Sequence, residues 1–495
     1  MPQISFPNIP QNQRVPLFYA DVDASQANTA TTVQRTLLIG QKTAAGTGAQ
    51  DSVNLASSVS GVATLAGVNS RLSADYQAYR LNDSSAEVWV GLLVDDAGAT
   101  AATGTLTFSG TPTASGTVNV YLGGTRYALP VSTTQTATQM AAALVALVNA
   151  DATCPVTASN AAGVVTFTAD SKGPLGNDFP IAVNFYGLPD EPPVPGLTIA
   201  VVAMASGATT PVISNLLVSL ADRAFDCIVC PYNDVTTLDA LKAFLNDSTG
   251  RWAYSQQIYG HVFYPKVGTL SALVTFGDTR NNQHETCYGM PPGSPMSSSM
   301  WAAANAATDM VSLRADPARP VAGLVVQGII APPLANRFVM EDRNTLLFNG
   351  ISTFTVGDDG SVAREQTITT YQENTFGSPD DSYLKVQTLF NLMFQLRYMK
   401  TRITTKFARM KLADDGTPAG PGTNIVTPNI IRAEEISAYG DLVELGLAQD
   451  ADFFSQNVVV QRNALNPNRV DNLFPTVLID QLDIFALLAQ FRLQV

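Results

Sequence analysis

Apolar residues gather in short unbroken runs separated by stretches of helical spacing. Thr36–Gly40 (TLLIG), Ala86–Val94 (AEVWVGLLV), Asp226–Cys230, Ile258–Tyr264 and Glu285–Tyr288 read as strands buried on both faces. Helical sequence lies between them, at Ser70–Arg80, Ser214–Arg223, Thr237–Asn246, just after Gly268, and from Ser298 to Leu313. Alternating strands and helices predict a mostly parallel sheet covered on both faces. Phe354–Val356 and Val362–Tyr371 flank Gly357-Asp-Asp-Gly360, a hairpin turn.

Between Asp95 and Pro195 the pattern changes to Thr, Gly, Ala and Ser, with alternating strands at Thr105–Phe108, Val118–Leu122 and Val164–Ala169. One helix interrupts them. Thr136 followed by Gln139 gives its capping box, and Met140, Leu144, Leu147 and Val148 give its apolar face. The proline-rich Pro189–Pro195 closes the block as a stiff linker. The segment reads as a small β-rich α+β domain inserted into the α/β domain.

Leu384–Leu412 is the clearest helix, with Val386, Leu389, Met393, Leu396, Met399, Ile403 and Phe407 at helical spacing. It also carries Lys385, Arg397, Lys400, Arg402, Lys406, Arg409 and Lys411 and no acidic residue. Such a segment is either a solvated polar face or a contact for an acidic partner.

Both ends are apolar and extended. Pro2, Pro7, Pro10 and Pro16 bar a helix near the start, while Ile4, Phe6, Ile9, Val15, Leu17, Phe18 and Tyr19 exceed what a solvated linker carries. The segment has neither the basic start nor the apolar core of a signal peptide. After the turn at Asn466-Pro-Asn468, a dense block from Val477 to Leu488 gives way to alternation, with Phe491, Leu493 and Val495 on one face and Arg492 and Gln494 on the other. Such ends either fold back or add to a neighbour, and two on one chain point to strand exchange between subunits.

Composition supports an assembly. Only 14% of the 495 residues are charged, which fits a surface covered by other subunits. The net charge of -13 argues against nucleic-acid binding. Cys154, Cys227, Cys230 and Cys287 are too few for a disulfide scaffold and fit a reducing compartment. No stretch has the length of a membrane span.

Catalytic candidates are sparse. With only His261 and His284, no HExxH and no paired CxxC, neither a metal site nor any cofactor is expected. Cys227-Ile-Val-Cys230 falls in a strand that turns its two thiols to opposite faces, and Gly40-Gln-Lys42-Thr43 lacks the earlier glycine of a phosphate loop. The two Asp-Asp-Gly turns at Asp358–Gly360 and Asp414–Gly416 read as turn chemistry. Asp226, His261 and Ser299 follow the chain order of subtilisin-type proteases, but Ser297-Ser298 stands where Gly-Thr precedes that family's serine. A serine hydrolase using these three is the enzymatic alternative, and a non-contractile shell or surface-layer protein is a third.

Ile4-Ser-Phe-Pro7 to Val15-Pro16, Tyr259-Gly-His-Val-Phe-Tyr-Pro265, Gly277-Asp-Thr-Arg-Asn-Asn282, Asn468-Arg-Val-Asp471, Phe474-Pro-Thr-Val477 and Phe485-Ala-Leu-Leu488, in that order, resemble contractile-tail sheath proteins of Mu-type myophages. Lys172-Gly-Pro-Leu-Gly-Asn-Asp178 resembles a recurrent segment of their insertions. The resemblance implies a non-catalytic, subtilisin-like α/β core with an inserted domain, an α+β C-terminal domain and extended terminal arms. The expected divisions are a linking arm at 1–25, core at 26–94 and 196–383, insertion at 95–195, C-terminal domain at 384–488 and a linking strand at 489–495. Ile4, Phe6, Val15, Leu17, Phe491, Leu493 and Val495 are expected to join subunits, and Lys400, Arg402 and Lys406 to face an acidic tail tube. The implied protein is not an enzyme. It forms hexameric rings stacked as a helical sheath in the virion tail, assembled in the host cytoplasm with tube, baseplate and terminator proteins, and contacts neither nucleic acid nor membrane.

Overall fold

A computed structural model describes residues 34–493 apart from Ala419 and Pro421. Ile4, Phe6, Val15, Leu17 and Val495 lie outside the described residues.

A nine-stranded sheet organises the fold. Across it run Val325–Val326, Val362–Gln366, Ile351–Val356, Glu285–Met290, His261–Val267, Cys227–Val229, Arg35–Gln41, Glu87–Leu93 and Val53–Leu55. The six strands from Ile351–Val356 to Glu87–Leu93 are parallel, and both margins are antiparallel. Leu38, Val88, Val90, Cys227, Val229, Phe263 and Tyr288 face one layer, whereas Leu37, Ile39, Ile228, Cys230, Val262, Tyr264 and Cys287 face the other. Burial on both faces is why these strands lack alternation. Cys227 and Cys230 therefore lie on opposite faces, and all four cysteines are free and buried.

On the first face pack the helices Arg71–Asn82 and Ser298–Ala315; Ala302, Ala303, Ala304, Ala306 and Ala307 are buried, and their small side chains allow close helix approach. The second face is covered by Ser214–Ser219, Val235–Leu245 and Leu270–Gly277. A separate apolar core fills the inserted segment, in which the helix Ala137–Ala150 packs with a three-stranded and a four-stranded sheet. Its Thr136–Gln139 capping box is formed. The strand Leu197–Ala205 pairs with Thr103–Gly110, so pairing continues past the boundary read at Pro195.

C-terminal to the sheet come the helix Val386–Phe407, the helix Pro428–Glu444, and a hairpin of Val459–Arg462 against Val470–Leu473. Among the described residues, that two-stranded sheet leaves one open edge on each strand. From Phe474 to Leu493 there is no regular element, only a bridge between Ala448 and Leu478. The strand period read at the very end of the chain is not paired within the described residues.

Candidate subunit-linking interface

Strand direction separates the three residues of the hydrolase alternative. Asp226 and His261 sit at the amino ends of the parallel strands Cys227–Val229 and His261–Val267, while Ser299 lies in a helix that follows the carboxyl end of Glu285–Met290. Ligands of open α/β sheets bind beyond the carboxyl ends. Each member also has other partners. The Asp226 carboxylate accepts the Arg35 backbone N–H at 3.1 Å and pairs with Arg397. His261 Nε2 meets Thr286 Oγ1 at 2.8 Å, its ring lies edge-on to Phe263, and burial, with His284 nearby, holds it well below the usual histidine range. Ser299 Oγ is buried 2.9 Å from Ser297 Oγ. The geometry does not bring Asp226, His261 and Ser299 together as a relay.

The basic helix spends much of its charge inside the chain. Its neighbour Lys385 pairs with Asp483, Arg397 with Asp226, Arg402 with both Glu434 and Asp441, and Lys406 with Glu434. Burial raises the Glu434 carboxyl, but hydrogen bonds from Lys406 and Arg402 outweigh it and hold the group below its ordinary value. Of the three residues expected to face a tube, Arg402 and Lys406 thus have acidic partners at home, and Lys400 is exposed. Arg409 and Lys411 are exposed as well. Sequence reading missed these pairings, because the partners lie outside the basic segment: Glu434 and Asp441, seven apart on the next helix, take Arg402 and Lys406.

The C-terminal segment has an anchored root and a bare tip. Phe474 closes an aromatic cluster, 4.8 Å from Phe454 and 6.0 Å from Tyr439, with Tyr439 and Phe454 stacked at 3.9 Å. The Val477 N–H donates to the Tyr439 hydroxyl at 3.0 Å, and that hydroxyl donates to the Gln449 carbonyl at 2.6 Å. Thr476 bonds Gln395 at 2.8 Å, Gln481 bonds the Ala318 carbonyl at 3.0 Å, and Asp483 meets Gln366 at 3.4 Å as well as Lys385.

Beyond Asp483 the chain leaves the body. Ile484, Phe485, Leu487, Leu488, Phe491 and Leu493 are 78% to 85% exposed. Exposing six large apolar side chains in ten residues carries a hydration cost of about 1.5–3 kcal/mol each, which a covering surface removes. Among the described residues, nothing covers this run of apolar side chains.

A family model described as "Phage tail sheath protein central domain" matches residues 206–370. The Mu-like prophage FluMu tail sheath protein of Haemophilus influenzae is 36% identical over 493 residues, covering 99% of this chain and all of that one. Among solved structures, the sheath tail protein of Desulfitobacterium hafniense is similar at a TM-score of 0.47 and 11% identity, covering 94% of this chain and 100% of its own. The sheath tail protein of Listeria innocua gives 0.46 at 14%, covering 90% and 92%, and a chain of the anti-feeding prophage baseplate gives 0.46 at 12%, covering 97% and 100%.

Proposed function

The chain belongs to the phage tail sheath family, and we propose on that premise that it is the mechanical subunit of a contractile sleeve. Copies stack as hexameric rings around a tail tube, between baseplate and terminator proteins, and assemble in the bacterial cytoplasm in an extended form. Release at the baseplate lets the subunits rotate and pack more closely, driving the tube through the target envelope. Newly buried surface and charge pairing supply the energy.

The observation that carries this reading is the anchored root and exposed tip of the C-terminal segment. A segment fixed at Asp483 and apolar beyond it suits a tether: it holds an adjoining copy while the two bodies slide. The open edges of the hairpin Val459–Arg462/Val470–Leu473 suit a strand contributed by another copy. Lys400, together with Arg409 and Lys411, supports an inward contact to an acidic tube, since Arg402 and Lys406 serve the fold.

Negative-stain microscopy of the purified full chain tests the proposal. Tubes of stacked rings are expected; closed particles or flat sheets would favour a shell protein, and discrete monomers would count against any sleeve.

A further inference from the structure

The parallel strands Glu285–Met290 and Ile351–Val356 stop pairing after Tyr288 and Ser352. Past that point they part, and a pocket of about 160 Å³ opens between Gly289 and residues 353–356. It lies toward the carboxyl ends of the two strands, the side on which open α/β sheets take their ligands. Residues 334–338 and the helix Met340–Phe348 form the other walls, where Leu334, Phe338 and Leu346 are apolar. Arg337 and Arg343 also line the pocket, and among the described residues no acidic side chain does. Their hydrogen bonds fix them without using them up. Arg343 Nε meets Glu365 at 2.9 Å and its Nη1 donates to the Phe338 carbonyl at 2.9 Å, while Thr353 Oγ1 donates to the same Glu365 at 2.7 Å. Arg337 Nε donates to the Pro332 carbonyl at 3.0 Å. Among the described residues, Arg337 has no acidic partner, and both its terminal nitrogens, Arg343 Nη2 and Thr355 Oγ1 make no hydrogen bond.

We propose that this pocket binds a small monocarboxylate with an apolar body, its oxygens on Arg337, Arg343 Nη2 and Thr355 Oγ1 and its hydrocarbon against Phe338, Leu346 and Phe354. Four observations select this chemistry. Glu365 balances one guanidinium, which leaves one positive charge for the ligand. A guanidinium with both terminal nitrogens open presents the planar fork that a carboxylate matches. The apolar walls disfavour a fully hydrated anion such as phosphate, which loses its water there without compensation. The volume admits a body of roughly ten atoms. Bound in this way, a carboxylate bridges the helix Met340–Phe348, through Arg343, to the strand Ile351–Val356, through Thr355. The site is independent of the sleeve reading and of the tail.

Isothermal titration of the full-length chain with benzoate tests this, with benzamide and inorganic phosphate as controls. Benzoate should bind with a dissociation constant of about 1 mM or below. Benzamide, of the same shape but neutral, and phosphate, charged but without an apolar body, should bind at least about tenfold more weakly. Arg337→Gln should weaken benzoate by about tenfold or more and leave benzamide unchanged, and Thr355→Val should weaken benzoate by about fivefold. No saturable binding up to about 10 mM benzoate, equal binding of benzamide or phosphate, or undiminished affinity in Arg337→Gln overturns the proposal. Should Arg337→Gln fail to fold, Thr355→Val decides alone, and an unchanged benzoate affinity there overturns it as well.

Discussion

Arg397, on the long basic helix, forms an ion pair with the buried Asp226 at the amino end of a central strand, and its guanidinium lies 5.7 Å from the centre of the Tyr259 ring. One side chain thus fastens the C-terminal helix to the sheet and neutralises the carboxylate that a protease reading would have used as its orienting acid.

Removing that cation leaves a buried charge alone. Arg397→Met should destabilise the subunit by about 3–5 kcal/mol in urea unfolding. Adding Asp226→Asn should recover most of the loss, because the amide oxygen can still accept from the Arg35 N–H. A fluorophosphonate probe should leave Ser299 unlabelled in the folded parent, given its burial against Ser297.

Glu435 sets a pH dependence of unusual sign. It is 2% exposed on the helix Pro428–Glu444, accepts one hydrogen bond from Asn472 at 2.9 Å, and its other oxygen has no partner among the described residues. Burial lifts its carboxyl from 4.5 to about 7, against the bond from Asn472. The folded state therefore holds a proton that the unfolded chain releases near 4.5, and stability falls as pH rises from there to about 7. Glu435→Gln should remove that slope, leaving thermal stability near the parent's at pH 4.5 and raising it at pH 8 by on the order of 3 kcal/mol.

The basic helix should divide under charge reversal. Arg402→Glu sets like charges beside Glu434 and Asp441 and should cost about 2 kcal/mol of subunit stability. Lys400→Glu with Arg409→Glu and Lys411→Glu, all exposed, should change the melting temperature little and reduce cosedimentation with tail tubes. Equal effects of both sets on stability would argue that the helix has no outward role.

Much of this was readable beforehand, for physical reasons. Leu37–Ile39 and Val88–Leu92 stand out because a parallel sheet buries both faces, and the opposite-facing Cys227 and Cys230 follow from the two-residue strand period. The Thr136–Gln139 box is local and so appears in sequence. The turn at Asn466–Asn468 could be read, yet the strands it joins were missed: Val459–Arg462 and Val470–Leu473 are short and carry no sustained alternation. The helix Pro428–Glu444 hid because buried Glu434 and Glu435 interrupt its apolar face. The separation of Ser299 from Asp226 and His261 depends on strand direction, which chain order does not encode.

The most direct measurement compares the full chain with one ending at Asp483, by electron microscopy and by thermal unfolding. Because the tip buries almost nothing in its own body, both subunits should melt at the same temperature, while only the full chain forms tubes of stacked rings. Tubes of normal length from the shortened chain, or discrete monomers from the full one, would contradict the tether.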